Sequence, residues 1–208
     1  EAGGPRYEWA QVDPVDNADG GRPGANIRVV LLFDPTNAAS AAYNPLLEVR
    51  RGEREVRDVQ NIADILGDPE GQLERRNHWE KTSHSLLVGA ILHVLYAEND
   101  KTLAGVAAFL SDPRRPIAAT LTAMMRTAHL GDRPHPVVAQ AARELLNKSE
   151  NERSGVLSTA MSFLSLYRDP VIAAVTCRCD WRIDDLVSST QPFTLYLVVP
   201  PSDISRTK

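Results

Sequence analysis

Residues 27–33 read Ile-Arg-Val-Val-Leu-Leu-Phe and lead directly into the turn residues Asp34-Pro35-Thr36-Asn37. A short run of β-branched and apolar residues closed by a turn is typical of a strand buried on both faces of a parallel sheet. Residues 193–199, Phe-Thr-Leu-Tyr-Leu-Val-Val, have the same character and end at Pro200-Pro201. Because a lone strand is not stable, each run must pair with the other or with a further sheet.

The sequence between these two strands is helical in character throughout. Apolar residues recur there at the three- and four-residue spacing of an amphipathic helix. The segment from 73 to 97 is apolar on most of its faces, which predicts a helix at the centre of a bundle. Ser149 and Glu152 match a capping box, and Asp169-Pro170 is suited to begin another helix. The predicted helices cover residues 55–66, 73–97, 103–110, 117–125, 138–145, 149–167 and 170–175, with a last turn or two at 181–187.

This order of elements predicts a mainly α protein in which a helical bundle is inserted between two strands of an α/β sheet. Strands and helices that do not alternate argue against a doubly wound fold. Residues 1–26 are rich in glycine and proline and are expected to be a tail or linker without secondary structure. The expected divisions are then residues 27–44 for the first strand and its connection, 45–190 for the helical domain, and 191–208 for the returning strand.

The charge balance excludes a strongly basic nucleic-acid binder of the histone type. The 208 residues include 23 lysines and arginines against 27 aspartates and glutamates, a net charge of −4. Residues 45–190 hold 18 basic and 20 acidic residues, so a phosphate-binding surface there requires clustering in space. A near-neutral helical block therefore favours a protein partner over naked DNA.

The motifs of common enzymes are missing from these 208 residues. There is no G-x-x-x-x-G-K-[ST] phosphate loop, no G-x-G-x-x-G turn and no G-x-S-x-G or H-E-x-x-H motif. The sequence accordingly predicts no enzymatic activity, no cofactor and no metal for this segment. Two core-type strands without the rest of a sheet predict that this chain is part of a larger protein. In addition, no apolar run in it reaches the roughly 20 residues that a membrane-spanning helix needs.

Several long, ordered strings of this sequence closely resemble the TraG-type coupling proteins of conjugation and type IV secretion. The match extends over residues 27–208, most of the chain. Its strings are 33–36 (FDPT), 42–50 (AYNPLLEVR), 55–64 (EVRDVQNIAD), 78–82 (HWEKT), 149–160 (SENERSGVLSTA) and 195–203 (LYLVVPPSD).

The resemblance implies a membrane-anchored, hexameric ATPase with a RecA-like motor and an all-alpha domain inserted between its nucleotide motifs. On that basis the two strands belong to the motor, and ATP and Mg²⁺ are cofactors of the parent protein only. The all-alpha domain is expected at the cytoplasmic face of the bacterial inner membrane, as a segment that is itself soluble. The resemblance implies recruitment of a relaxase–DNA complex or an effector protein, with other secretion components as further partners. The alternatives are direct DNA binding by this segment, or a part in the ATPase motor.

A cluster of arginines precedes and opens the first predicted helix. At helical spacing Arg50, Arg54 and Arg57 share one face and Arg51 neighbours it. Such a face suits DNA phosphates or an acidic surface of the relaxase. The competing interpretation is a solvated face, because Glu48, Glu53, Glu55 and Asp58 interleave with the arginines and nearly cancel their charge.

A second candidate site surrounds Trp79, where cations precede and follow the indole. Arg75, Arg76 and Lys81 flank it, and an exposed tryptophan beside cations can stack on a base or fill a pocket of a partner. The competing interpretation is that Trp79 packs on the core at the start of its helix. His129 and His135 flank a predicted turn, and core or surface roles are expected for them.

Overall fold

The computed structural model describes residues 8–11, 27–68, 78–189, 193–199 and 201, and the side chains from residue 30 onward within those ranges, except that of His78. Strands β1 (Glu8–Gln11), β2 (Ile27–Phe33) and β3 (Phe193–Leu197) form one sheet in the order β1-β2-β3. Strand β1 is antiparallel to β2, whereas β2 and β3 are parallel neighbours with Leu31 opposite Leu195. Of the two alternatives that the sequence left open, the two apolar runs therefore pair with each other.

The described helices all lie between β2 and β3 in sequence, as the apolar periodicity predicts. Ser149 and Asp169 act as the predicted N-caps, because their side chains accept hydrogen bonds from the backbone N–H groups of Glu152 and Val171 at 3.3 and 2.9 Å. The helices are α1 (Glu55–Gly67), α2 (His78–Ala97), α3 (Leu103–Leu110), α4 (Ile117–Arg126), α5 (Pro136–Leu146), α6 (Glu150–Phe163), α7 (Pro170–Val175) and α8 (Ile183–Ser188), with 3₁₀ turns at Pro45–Glu48 and Ser165–Arg168.

The sheet differs from the sequence prediction in two respects. The expectation that residues 1–26 lack secondary structure is wrong at β1, because main-chain pairing with β2 needs no apolar side chains. The expected burial on both strand faces is found on only one face among the described residues. Successive residues of a strand face opposite sides, so Leu31 is buried while Leu32 and Tyr196 are 52% and 56% exposed. No described residue covers that second face.

Helix α2 is the centre of the helical block. It packs against α1, α3, α4, α5 and α6, and nearly every residue from 86 to 95 is buried. Its polar Ser83 is buried as well, and its hydroxyl donates a hydrogen bond to the carbonyl of Val156 in α6 at 2.9 Å. The predicted position of this helix at the centre of the bundle is confirmed. Among the described residues, no helix combines the length and the apolarity needed to cross a membrane.

The chain enters and leaves the part of the helical block from the first 3₁₀ turn to α7 through one narrow neck, and α8 follows that neck. The backbone N–H of Ala42 donates to Asp180 Oδ2 at 2.8 Å, and the Asp180 N–H donates to the Ala42 carbonyl at 2.9 Å. Beside this pair Tyr43 stacks on Trp181 with ring centroids 4.4 Å apart, and Phe33 meets both rings edge-on. The neck therefore ties the end of β2 to the segment that returns toward β3.

The contact between α2 and α5 depends on Gly89. A Cβ atom at this position would lie 2.7 Å from the Cβ of Ala141, which is closer than real Cβ atoms approach. We predict that Gly89→Ala lowers the free energy of unfolding by about 1–2 kcal/mol, since overpacking outweighs the gain in helix propensity.

The swap Gly89→Ala with Ala141→Gly restores the space and is the matched control. Urea unfolding of the two single variants and the double variant checks this. Additive costs in the double variant, with no compensation, would contradict the close approach of α2 and α5.

Candidate partner-binding site

Arg50 is bonded to Asp58 of helix α1, so its guanidinium is not entirely available to a binding partner. Its Nε and Nη2 donate to the two carboxylate oxygens of Asp58 at 2.9 and 2.6 Å, and its backbone N–H donates to Asp58 Oδ2 at 3.0 Å. This bidentate pair lowers the pKa of Asp58 to about 2, chiefly through the side-chain hydrogen bond from Arg50. The guanidinium remains 58% exposed, but its charge is locally neutralised.

Arg51 is directed to the far end of helix α2. Its guanidinium lies 4.3 Å from the centre of the Tyr96 ring, a cation–π contact, and Nη2 donates to the carbonyl of Leu95. This arginine thus satisfies a carbonyl at the C-terminal end of α2, where the helix dipole favours a cation.

The prediction that Arg50, Arg54 and Arg57 share a helix face is wrong, because α1 begins at Glu55, as predicted, and helical spacing does not apply to the arginines that precede it. Gly52 has φ +91°, a left-handed conformation that ends the preceding segment, and α1 starts at Glu55. Arg54 is the N-cap residue of α1, so Arg57 is the one arginine of the four inside the helix. Arg54 and Arg57 are exposed and make no ion pair with a described residue.

The structure does not bring the two candidate groups together. Trp79 and Lys81 lie in the first turn of α2, whereas Arg51 contacts Leu95 and Tyr96 in its last turns. A rise of 1.5 Å per residue separates these ends by about 24 Å. Trp79 is 42% exposed and its ring packs on the backbone at Gly155 of α6, where a Cβ atom would come within 2.8 Å of the ring. Lys81 is exposed. Arg75 and Arg76 lie outside the described residues.

A buried polar network behind the arginines was not predicted from the sequence. Its first member is Glu55, which is 4% exposed. Glu55 Oε2 accepts hydrogen bonds from the Tyr96 hydroxyl at 2.6 Å and the Gly52 N–H at 3.0 Å, and Oε1 lies 3.2 Å from His135 Nε2. Burial acts to raise the pKa of Glu55, but the hydrogen bonds from Tyr96, Gly52 and His135 bring it below its usual value.

The backbone determines the tautomers of two histidines in this network. His135 Nδ1 accepts the N–H of Val137 at 3.2 Å, so Nε2 carries the proton and donates to Glu55. His129 Nδ1 accepts the N–H of His135 at 3.1 Å, so its Nε2 carries the proton and donates to His93 Nδ1 at 2.9 Å. Both rings are therefore neutral in this arrangement.

His93 completes the network near the C-terminal end of α2. Since its Nδ1 is an acceptor, its Nε2 carries the proton and faces Glu98 Oε1 at 3.5 Å. The ring stacks on Phe109, which in turn lies under the guanidinium of Arg115. Burial, with the charge of Arg115, lowers the pKa of His93 to about 4, and burial with the neighbouring histidines lowers that of His129 to about 4.

The hydrogen bonds of the network leave no imidazole nitrogen in it open to a metal ion. Each imidazole nitrogen that accepts a hydrogen bond is already occupied by a donor, so no lone pair is left to bind a metal. No group of three or more metal-ligating side chains converges anywhere in the described part of the chain. The network joins residues 50–57 (the arginine segment), the end of α2 and the turn before α5 into one unit.

This chain belongs to the family of type IV secretory system conjugative DNA transfer proteins, whose model matches residues 23–208. Two conjugal transfer proteins TraG from Escherichia coli are 45% and 43% identical to it over 184 and 183 residues. Both alignments cover 85% of this chain. The chain spans only 29% of the length of either relative.

Solved structures of the bacterial conjugative coupling protein TrwB share the fold. The unbound monoclinic form of TrwBdeltaN70 aligns with a TM-score of 0.50 at 14% identity, covering 84% of this chain and 35% of that one. A further TrwB structure, in complex with ADP and Mg²⁺, aligns with a TM-score of 0.48 at 15% identity, covering 85% and 37%. The sequence interpretation as a TraG-type coupling protein is confirmed.

Glu55→Gln tests the network where it is most constrained. An amide in place of the carboxylate loses one acceptor and leaves a buried N–H₂ group facing donors, so we predict a loss of about 2–3 kcal/mol of unfolding free energy. Urea unfolding measures it, with the exposed Glu53→Gln as the matched control, which should change stability by less than about 0.5 kcal/mol. Equal effects of the two substitutions would contradict the network.

The histidines predict a definite pH dependence of stability. The folded-state pKa values of His93 and His129 lie near 4, below the unfolded value of about 6.5. The unfolded chain therefore binds more protons between these limits, and stability falls as pH drops from about 6.5 to 4, by at most roughly 3 kcal/mol per histidine.

His93→Gln should flatten this slope relative to the unmodified chain, whatever its effect on absolute stability. Urea midpoints measured at successive pH values between these limits check it. An unchanged slope in the variant would contradict the buried neutral state of His93.

Proposed function

We propose that this segment is the all-alpha domain of a coupling protein and recruits the transfer substrate, a relaxase–DNA complex or an effector protein. The observation that carries the proposal is topological. All described helices lie between two parallel, adjacent strands, β2 and β3, and chain entry and exit meet at the neck. This is the layout expected of a helical domain inserted into an α/β motor.

The longer protein is proposed to be a hexameric ATPase anchored at the bacterial inner membrane, with this domain on the cytoplasmic side. Family membership supports that proposal, and TrwB, which shares the fold, has been solved with ADP and Mg²⁺. The 208 residues contain no phosphate loop, so we propose that the segment itself hydrolyses no nucleotide. Other secretion components are proposed as further partners of the complete assembly.

Direct DNA binding is the weaker alternative for this segment. Arg50 is paired with Asp58 and Arg51 is engaged by α2, which leaves Arg54 and Arg57 as the cations of the cluster that neither contact holds. Two such arginines provide little counterion release compared with the six to ten phosphate contacts of a typical DNA-binding protein.

Titration of the labelled 208-residue chain with the cognate relaxase, alone and loaded with its DNA, tests the proposal. We expect saturable binding that survives a rise in salt. Arg54→Glu with Arg57→Glu is expected to weaken it less than about fivefold, as is usual for rim charges. Arg143→Glu, at an exposed position of α5, is the matched control.

Two outcomes would overturn this assignment. The first is the absence of saturable binding to relaxase, loaded relaxase and effector alike. The second is tight binding to naked DNA that falls steeply with salt and is lost in the Arg54/Arg57 variant, which would instead establish the DNA-binding alternative.

A further inference from the structure

An open groove of about 1060 Å³ with a mainly apolar lining lies between α1 and α8. Four exposed apolar side chains line this groove, and they come from three separate segments. They are Leu47 from the first 3₁₀ turn, Ile65 from α1, and Ile183 and Val187 from α8. Ile65 and Val187 are 68% and 83% exposed. Isolated exposed apolar residues are common, but convergence of several on one concavity marks a contact site.

The rim of this groove carries a net negative charge. Its two arginines are engaged within the chain, Arg50 by Asp58 and Arg182 by the carbonyl of Leu47, to which Nη1 donates at 2.9 Å. Its two other carboxylates accept hydrogen bonds only from neutral donors. Glu48 accepts from the N–H of Ile183 at 3.1 Å and Asp184 accepts from the hydroxyl of Ser188 at 2.9 Å.

Neither Glu48 nor Asp184 forms an ion pair with a described residue. The pKa of Tyr43 on the groove floor is consistent with this field. Burial, followed by the charge of Glu48, raises it to about 12. The three carboxylates of the lining, Glu48, Asp58 and Asp184, outnumber its two guanidinium groups, Arg50 and Arg182, so an apolar groove with a net charge of −1 favours a ligand that combines apolar anchors with cations over nucleic acid.

The lining of the groove favours a helical ligand over an extended peptide. The described lining comes largely from the sides of helices and 3₁₀ turns, whose backbone groups are bonded internally, so no strand edge is offered to an extended peptide. Contact must therefore come from side chains, and a helix laid along the groove presents them at every third or fourth position.

We propose that the groove between α1 and α8 is the docking site for an amphipathic, basic helix of the cargo protein. Leu47, Ile65, Ile183 and Val187 receive its apolar face, while Glu48 and Asp184 pair with its lysines or arginines. This inference rests on the recruitment function proposed above and specifies its site. The arginine segment then borders the docking site and is not its centre.

Two fluorescent peptides of about 18 residues, five helical turns, serve as probes. They share one leucine stripe and differ in having lysines or glutamates beside it. We expect the lysine peptide to bind the 208-residue chain at least tenfold more tightly than the glutamate peptide. Glu48→Gln with Asp184→Asn should remove most of that preference, because both substitutions keep an acceptor oxygen for the existing hydrogen bonds.

Val187→Ser and Leu186→Ser form a matched pair on one helix. Both residues are exposed on α8, but only Val187 lines the groove. Val187→Ser, like Ile65→Ser, should weaken both the lysine peptide and the cognate relaxase five- to tenfold, whereas Leu186→Ser should leave binding within twofold.

The outcomes separate this inference from the recruitment function. If the relaxase binds normally to Val187→Ser and Ile65→Ser, recruitment stands and the groove assignment is overturned. Equal binding of the two peptides, or binding unaffected by the Glu48/Asp184 variant, overturns the basic-helix specificity. Self-association of the chain that Ile65→Ser abolishes would assign the groove to a second copy and overturn the proposal.

Discussion

Helix α2 has no face left for solvent from Leu86 to Leu95, and the helical block depends on that constraint. Five other helices contact it; α1, α3, α5 and α6 pack extensively against this element, whereas α4 packs mainly against α5. Close approach is possible where a side chain is absent, as at Gly89 opposite Ala141. Burial then extends to polar residues of α2, which must find partners inside the protein; Ser83 and His93 both do so.

The packing around α2 also buries polar side chains near its C-terminal end, and the buried polar network supplies their hydrogen-bond partners. The C-terminal end of α2 brings His93 and Tyr96 into the interior, where they meet Glu55 from α1 and two histidines from the turn before α5. A buried carboxylate is costly unless its oxygens are satisfied, and Glu55 has three partners. The hydrogen bond from the Gly52 N–H to Glu55 also fixes the backbone of the segment that carries the arginines.

Much of the helical framework could be predicted because its signals are local. The nearly continuous apolar character of α2, the Ser149 cap and the Asp169-Pro170 start each act within a few residues. The arginine face was predicted wrongly, since the left-handed turn at Gly52 separates Arg50 and Arg51 from the helix that begins at Glu55. The network and the groove join residues far apart in sequence, such as Glu55 with His135 or Ile65 with Val187, which periodicity does not relate.

The neck has a consequence for how such a protein can change over evolutionary time. Because Ala42 and Asp180 are hydrogen-bonded to each other, the helical block from the first 3₁₀ turn to α7 begins and ends at essentially one point beside the sheet. A block attached in this way can be lengthened, rebuilt or exchanged without altering the spacing of the strands on either side. The surface that selects a partner and the sheet that carries it are thereby free to diverge at different rates.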